Sequence, residues 1–139
     1  MSDDLLRIRE LHAGFVEANR SGDVPFLRAH MTPGKDALSW FNLNQSNYVG
    51  VDHICELWDF LRNLSAGGQA ECNVRDEHIT VSGDAAWVFY ALDFRADFGA
   101  MGKVAQDARC TEIWQRQDGD WRMVHFHCSN HVPGQMGGL

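Results

Sequence analysis

Thr111-Glu-Ile-Trp-Gln-Arg-Gln-Asp-Gly-Asp-Trp-Arg-Met-Val-His-Phe-His-Cys-Ser129 is the stretch that decides how this chain folds. Two runs rich in β-branched and aromatic residues flank Asp118-Gly119, the dipeptide favoured by two-residue hairpin turns. A turn there pairs Gln117 with Asp120, Arg116 with Trp121 and Trp114 with Met123. Counting on, Glu112 faces His125 and Cys110 faces His127. Because side chains alternate along a strand, Cys110, Glu112, Trp114, Met123, His125, His127 and Ser129 then share one face. Thr111, Ile113, Val124, Phe126 and Cys128 share the other.

This register carries the first functional expectation. A carboxylate opposite a histidine at about 5 Å orients the imidazole and raises its basicity, which suits proton transfer near neutral pH. Glu112 and His125 are therefore a candidate acid/base dyad, with His127 beside them. The same residues suit, and more often form, a cross-strand ion pair on an exposed or partner-facing side of the sheet. A third possibility is a divalent metal held by His125 and His127 with Glu112 or Cys110 across, although paired strand histidines more often serve packing. The expectation is no metal and no cofactor.

Outward from the hairpin, everything after Gly68 reads as strand. The runs 70–81, 85–98, 104–117 and 121–130 are separated by Ser82-Gly83-Asp84, Gly99-Ala100-Met101-Gly102 and Asp118-Gly119. Strands this long must curve, and the concave face needs a cover. Three helices precede them. Leu5, Leu6, Ile8, Leu11, Phe15, Val16 and Ala18 recur near helical spacing over 3–20, and Ser21-Gly22-Asp23 stops that helix. Asp23 and Pro25 open a short one over 24–30. Asp52 is the expected N-cap of a third, in which Ile54, Leu57, Trp58, Leu61 and Leu64 face one side. Ala37 to Leu43 reads as a short strand, and Asn44 to Asn47 as a polar loop. Helices followed by an antiparallel meander make an α+β fold with a cavity at its open end.

The order of elements and the 111–129 string resemble the SnoaL-like branch of the nuclear-transport-factor-two-like superfamily. With Gly50-Val-Asp52, they are especially similar to the association domain of calcium/calmodulin-dependent kinase two and its bacterial relatives. The resemblance implies a single domain over 1–139, a cone in which a strongly curved sheet wraps three helices around a central pocket. It also implies one of several roles: lyase, isomerase, cyclase, dehydratase, ligand-binding protein or assembly module. The ketosteroid isomerases of that superfamily carry a tyrosine where Phe15 stands here. The kinase association domain carries an arginine in place of Glu112.

Around such a pocket the amides of Asn42 and Asn44, with Tyr48 and His53, could fix a substrate oxygen at the mouth. Trp40, Phe41, Trp58, Trp87, Phe89, Tyr90, Phe94 and Trp114 could line it, although the Gly99–Gly102 turn leaves open whether Tyr90 or Phe89 shares the Glu112 face. Arg109 could reach a carboxylate. The expected activity is cofactor-independent acid/base chemistry on a small apolar or aromatic molecule, with Tyr48 assisting His125 and Glu112. The alternatives are a binding or oligomerisation module and a metal-dependent enzyme.

Composition narrows the partners. Of 139 residues, 12 are Lys or Arg and 19 are Asp or Glu, giving a formal charge of -7 and a pI near 5.3. An acidic chain is a poor match for a phosphate backbone or an anionic membrane, so neither nucleic acid nor membrane is expected. A homodimer or higher homo-oligomer is expected. Without an apolar leader the chain reads as cytoplasmic, and its four cysteines as buried, unpaired packing residues.

Overall fold

The structure, a computed structural model, describes residues 2–130. Helix α1 spans Asp3–Ser21, capped by the Ser2 hydroxyl and ended by Gly22 in the left-handed region. Helix α2 spans Val24–His30 behind the Asp23 cap. Helix α3 spans Val51–Leu64. Strands β1 (Ser39–Phe41), β2 (Asn47–Val49), β3 (Glu71–Ser82), β4 (Ala85–Asp97), β5 (Lys103–Gln117) and β6 (Asp120–Asn130) form one sheet in the order β2-β1-β6-β5-β4-β3. The glycine-rich tail, 133–139, lies outside the described residues. Among the described residues no helix is long and apolar enough to cross a membrane.

Two parts of the sheet differ from the expected four-strand meander. The amide-rich loop after β1 folds back as β2, pairing Trp40 with Tyr48. Strand β1 in turn lies parallel to β6, pairing Ser39 with His125 and Phe41 with His127. The sheet is therefore mixed. Asp118 and Gly119 both have positive φ, as the two-residue hairpin demands, and the predicted pairs from Gln117–Asp120 to Trp114–Met123 are formed.

Beyond them the register slips by one. Val124 is an extra residue on β6, so Ile113 opposes His125 and Glu112 opposes Phe126. A β-bulge re-aims every side chain after it. This one sits where β6 changes its other neighbour: Met123 bridges Met31 and accepts from the Thr32 amide, whereas His125 already pairs with β1.

The core lies between α1 and the inner sheet face. Ile8, Leu11, Phe15 and Ala18 are buried at helical spacing, and Phe15 packs edge-on against Trp40 and Phe126. Asp52 is not the cap of α3. Gly50 is, with no side-chain cap bond, and Asp52 lies in the first turn, 2.7 Å from Arg28. Gly50 has φ +84, and a Cβ there would lie 2.2 Å from the Lys35 carbonyl oxygen. Both backbone strain and collision oppose any side chain. Gly50→Ala is expected to cost about 3 kcal/mol, measured by urea unfolding.

Candidate functional site

The slipped register separates the expected dyad. Glu112 points inward and is fully buried, whereas His125 and His127 lie on the outer face. His125 is bonded through Nδ1 to the Ser39 hydroxyl at 2.6 Å. Burial, then the neighbouring His127, depresses the His125 pKa. The two histidines flank the half-exposed Phe41, with ring centroids at 5.4 and 5.5 Å. They therefore share no face with Glu112 or Cys110, and no group of three metal-ligating side chains is brought together among the described residues.

Glu112 has a different partner, His12 of α1. The His12 Nδ1 lies 2.7 Å from one Glu112 oxygen, and the Trp114 indole N–H donates to the other at 3.0 Å. The second His12 nitrogen lies 3.3 Å from Glu77, which the β3 bulge between Arg75 and His78 brings to the helix. His12 is 3% exposed. His12 is not among the expected site residues, yet its signal is in the sequence. Positions 8, 12, 15 and 18 fall on one helical face, so His12 belongs to the same buried stripe as Ile8, Phe15 and Ala18.

Burial opposes a charge on His12. The hydrogen bond to Glu112 and the charges of Glu112 and Glu77 outweigh it, and the pKa is raised from the ordinary 6.5. A histidine with a higher pKa in the folded state contributes stability that is full below 6.5 and is lost as pH rises through the folded value. The stability gap between the wild type and His12→Gln is therefore expected to narrow as the pH rises above 6.5, as urea unfolding will show. A 15N titration of the His12 ring should give a midpoint above 6.5.

Tyr90 adjoins this pair. Its ring centroid lies 4.8 Å from that of His12. Burial, then the charge of Glu112, holds its phenol protonated, with a pKa well above the ordinary value. Tyr90 is also part of the wall of a cavity of about 670 Å³ between α1, α3 and the inner sheet face. Its wall includes the apolar Leu57, Trp58, Leu92, Phe94 and Phe126, the amides of Asn19, Asn42 and Asn44, and the charged residues Arg20, Arg62 and Asp97.

Of the remaining expected site residues, Trp40 and Trp114 are core residues behind the cavity, whereas Phe41 and Trp87 are exposed and not part of its wall. Tyr48 and His53 pack against each other beside it, with ring centroids 4.7 Å apart. The Tyr48 hydroxyl accepts from Asn44, and neither ring is part of the cavity wall. Arg109 is not at the cavity either. It borders a shallow groove on the outer face together with His127. Parity settles in favour of Tyr90 over Phe89, because Tyr90 pairs with Cys110 and Val88 with Glu112, all on the inner face.

An open curved sheet packed on three helices around an apolar cavity is the cone of the NTF2-like fold. The solved structures similar to this chain share it. A candidate dehydratase of the NTF2-like family from Streptomyces avermitilis is 18% identical with TM-score 0.77, covering 93% of this chain and 97% of that one. A candidate aromatic ring hydroxylase from Novosphingobium aromaticivorans is 17% identical with TM-score 0.77, covering 94% and 91%. The CaMKII hub of S. rosetta is 18% identical with TM-score 0.75, covering 94% and 99%. Within that class, the SnoaL-like domain model matches residues 8–133, and the chain belongs to this family. No curated protein sequence matches it.

Proposed function

We propose that the protein binds a small, uncharged, largely apolar molecule in the cone and transforms it by proton transfer, as a lyase, isomerase, cyclase or dehydratase. The observation that carries this reading is Tyr90, where the apolar cavity meets a buried Glu112–His12 pair. A phenol held protonated is a hydrogen-bond donor and acid toward a substrate oxygen. A proton given up by Tyr90 would leave a phenolate beside Glu112, an unfavourable pairing of like charges. His12 supplies the remedy: its Nδ1 proton passes to Glu112 and from there to Tyr90, so that no second buried anion persists. The cavity volume is typical of sites for small organic ligands.

A thermal-shift screen tests the ligand class. Uncharged fused-ring phenols and ketones should raise the unfolding midpoint at sub-millimolar concentration, and the corresponding aromatic carboxylates should do so less. A set of carboxylates that bind better than their neutral counterparts would overturn the uncharged-ligand reading.

A second reading, self-association, is favoured by the outer sheet face. Phe89, Thr111, His127 and Phe41 form one row across the strands, with Trp87, Ile113, His125 and Ser39 in the next. Phe41, Trp87 and Phe89 are 42%, 37% and 45% exposed, large apolar side chains at the two ends of these rows, and exposed apolar groups of this kind are used by interfaces. Phe89→Asp is expected to shift the sedimentation coefficient to that of a monomer, with the cavity intact. A wild-type chain that sediments as a monomer at high micromolar concentration would remove this reading.

A further inference from the structure

Cys110 and Cys128 are a directly opposed cross-strand pair on the inner face of β5 and β6. Their sulfurs lie 3.4 Å apart, and both side chains are buried and unpaired in covalent terms. Opposed residues of antiparallel strands have Cα separations of about 4.5 to 5.5 Å, inside the range that a disulfide spans without backbone movement. The two thiols are not equally reachable. Cys128 is part of the wall of the 670 Å³ cavity, whereas Cys110 is not and borders the shallow outer groove with Arg109 and His127 instead.

We propose that Cys110 and Cys128 form a redox-modification site, in which an apolar hydroperoxide entering the cavity oxidises the pair to a disulfide across the β5–β6 wall. The Cys128 sulfur attacks the peroxide oxygen, forming an S–O bond as the O–O bond breaks and an alcohol leaves. The Cys110 sulfur then displaces the sulfenic oxygen, which departs as water with the Cys110 thiol proton, and the S–S bond forms. Two thiols are oxidised and one hydroperoxide is reduced. The surroundings restrain the two neighbouring thiols, Cys110 and Cys72. The neighbouring Cys128 and burial raise the Cys110 pKa, and burial raises that of Cys72, the other thiol at the cavity, to about 11. Thiols held protonated react slowly with oxidants that do not dwell beside them.

The test uses the full chain and cumene hydroperoxide, with hydrogen peroxide at equal concentration for comparison. The expected product of the organic peroxide is a monomer lighter by about 2 Da. Tryptic digestion without reductant should join the peptide Cys110–Arg116 to the peptide that begins at Met123. The unfolding midpoint should rise by roughly 5 °C or more, because the bridge closes a loop in the unfolded chain. Cys72→Ser and Cys55→Ser should leave the crosslink unchanged. Cys110→Ser should stop the reaction at sulfenic acid on Cys128, detected by dimedone labelling, a readout that does not depend on the bridge. A linkage involving Cys72 or Cys55, crosslinked dimers, or four intact thiols after both oxidants would overturn the assignment. An equal rate with hydrogen peroxide would overturn the selectivity for an apolar oxidant.

Discussion

Tyr90→Phe is expected to lower turnover of the cavity's substrate by roughly a hundredfold or more while shifting the unfolding midpoint little. The substitution removes one oxygen. The ring keeps its place in the apolar wall, so substrate affinity should fall far less than kcat, the pattern of an interaction made chiefly in the transition state. His125→Ala is the informative companion, because His125 lies on the opposite face of the sheet and is bonded to Ser39. It should leave kcat unchanged. Steady-state kinetics on a ligand from the screen reads both. A Tyr90→Phe variant with wild-type kcat would exclude the phenol from the chemistry, and a slow His125→Ala variant would return attention to the outer face.

Glu112→Ala is expected to be the most damaging single substitution to stability, at about 3 to 5 kcal/mol. Its carboxylate is 0% exposed and accepts from two buried donors, the His12 ring and the Trp114 indole. Removing it strands both and leaves a cavity behind. The loss should appear as a drop of roughly 10 °C or more in the unfolding midpoint. The double variant His12→Leu, Glu112→Leu should be more stable than Glu112→Ala alone, since deleting both partners of a buried pair relieves the uncompensated charge. Additive losses in the double variant would show that His12 and Glu112 are not energetically coupled.

Much of this architecture is legible in the chain because it is written in local patterns. The apolar stripe of α1, the cap and proline of α2 and the glycine-bearing turns between the long strands each need only a few neighbouring residues. What was not legible depends on partners far away in sequence. Asn47–Val49 carries no strong strand signal and becomes a strand because Trp40 offers it an edge. The parallel pairing of β1 with β6 joins positions 86 apart, such as Ser39 and His125.

At the site, a local rule was correct for four pairs and then failed at one residue. From Gln117–Asp120 to Trp114–Met123 the turn dictates register. At Val124 the Met31–Met123 bridge and the arrival of β1 dictate it instead. That single unpaired residue moves His125 and His127 outward, Phe126 and Cys128 inward, and leaves Glu112 to be met by a histidine from the first helix. The α1 pattern did hold His12 on its buried face, but a buried histidine announces itself as a site only when its partner is known.

The joining of β1 to β6 also has a consequence for the order in which the molecule assembles. β3 to β6 are linked by short turns, so their pairings close small loops, whereas the β1–β6 seam closes a loop of more than eighty residues. The hairpins are thus expected to form first and the seam last. Asn42 and Leu43, which follow β1, reach the cavity wall only once the seam has closed. A ligand in the cone therefore stabilises contacts absent from the folding transition state: it should slow unfolding while leaving the folding rate nearly unchanged.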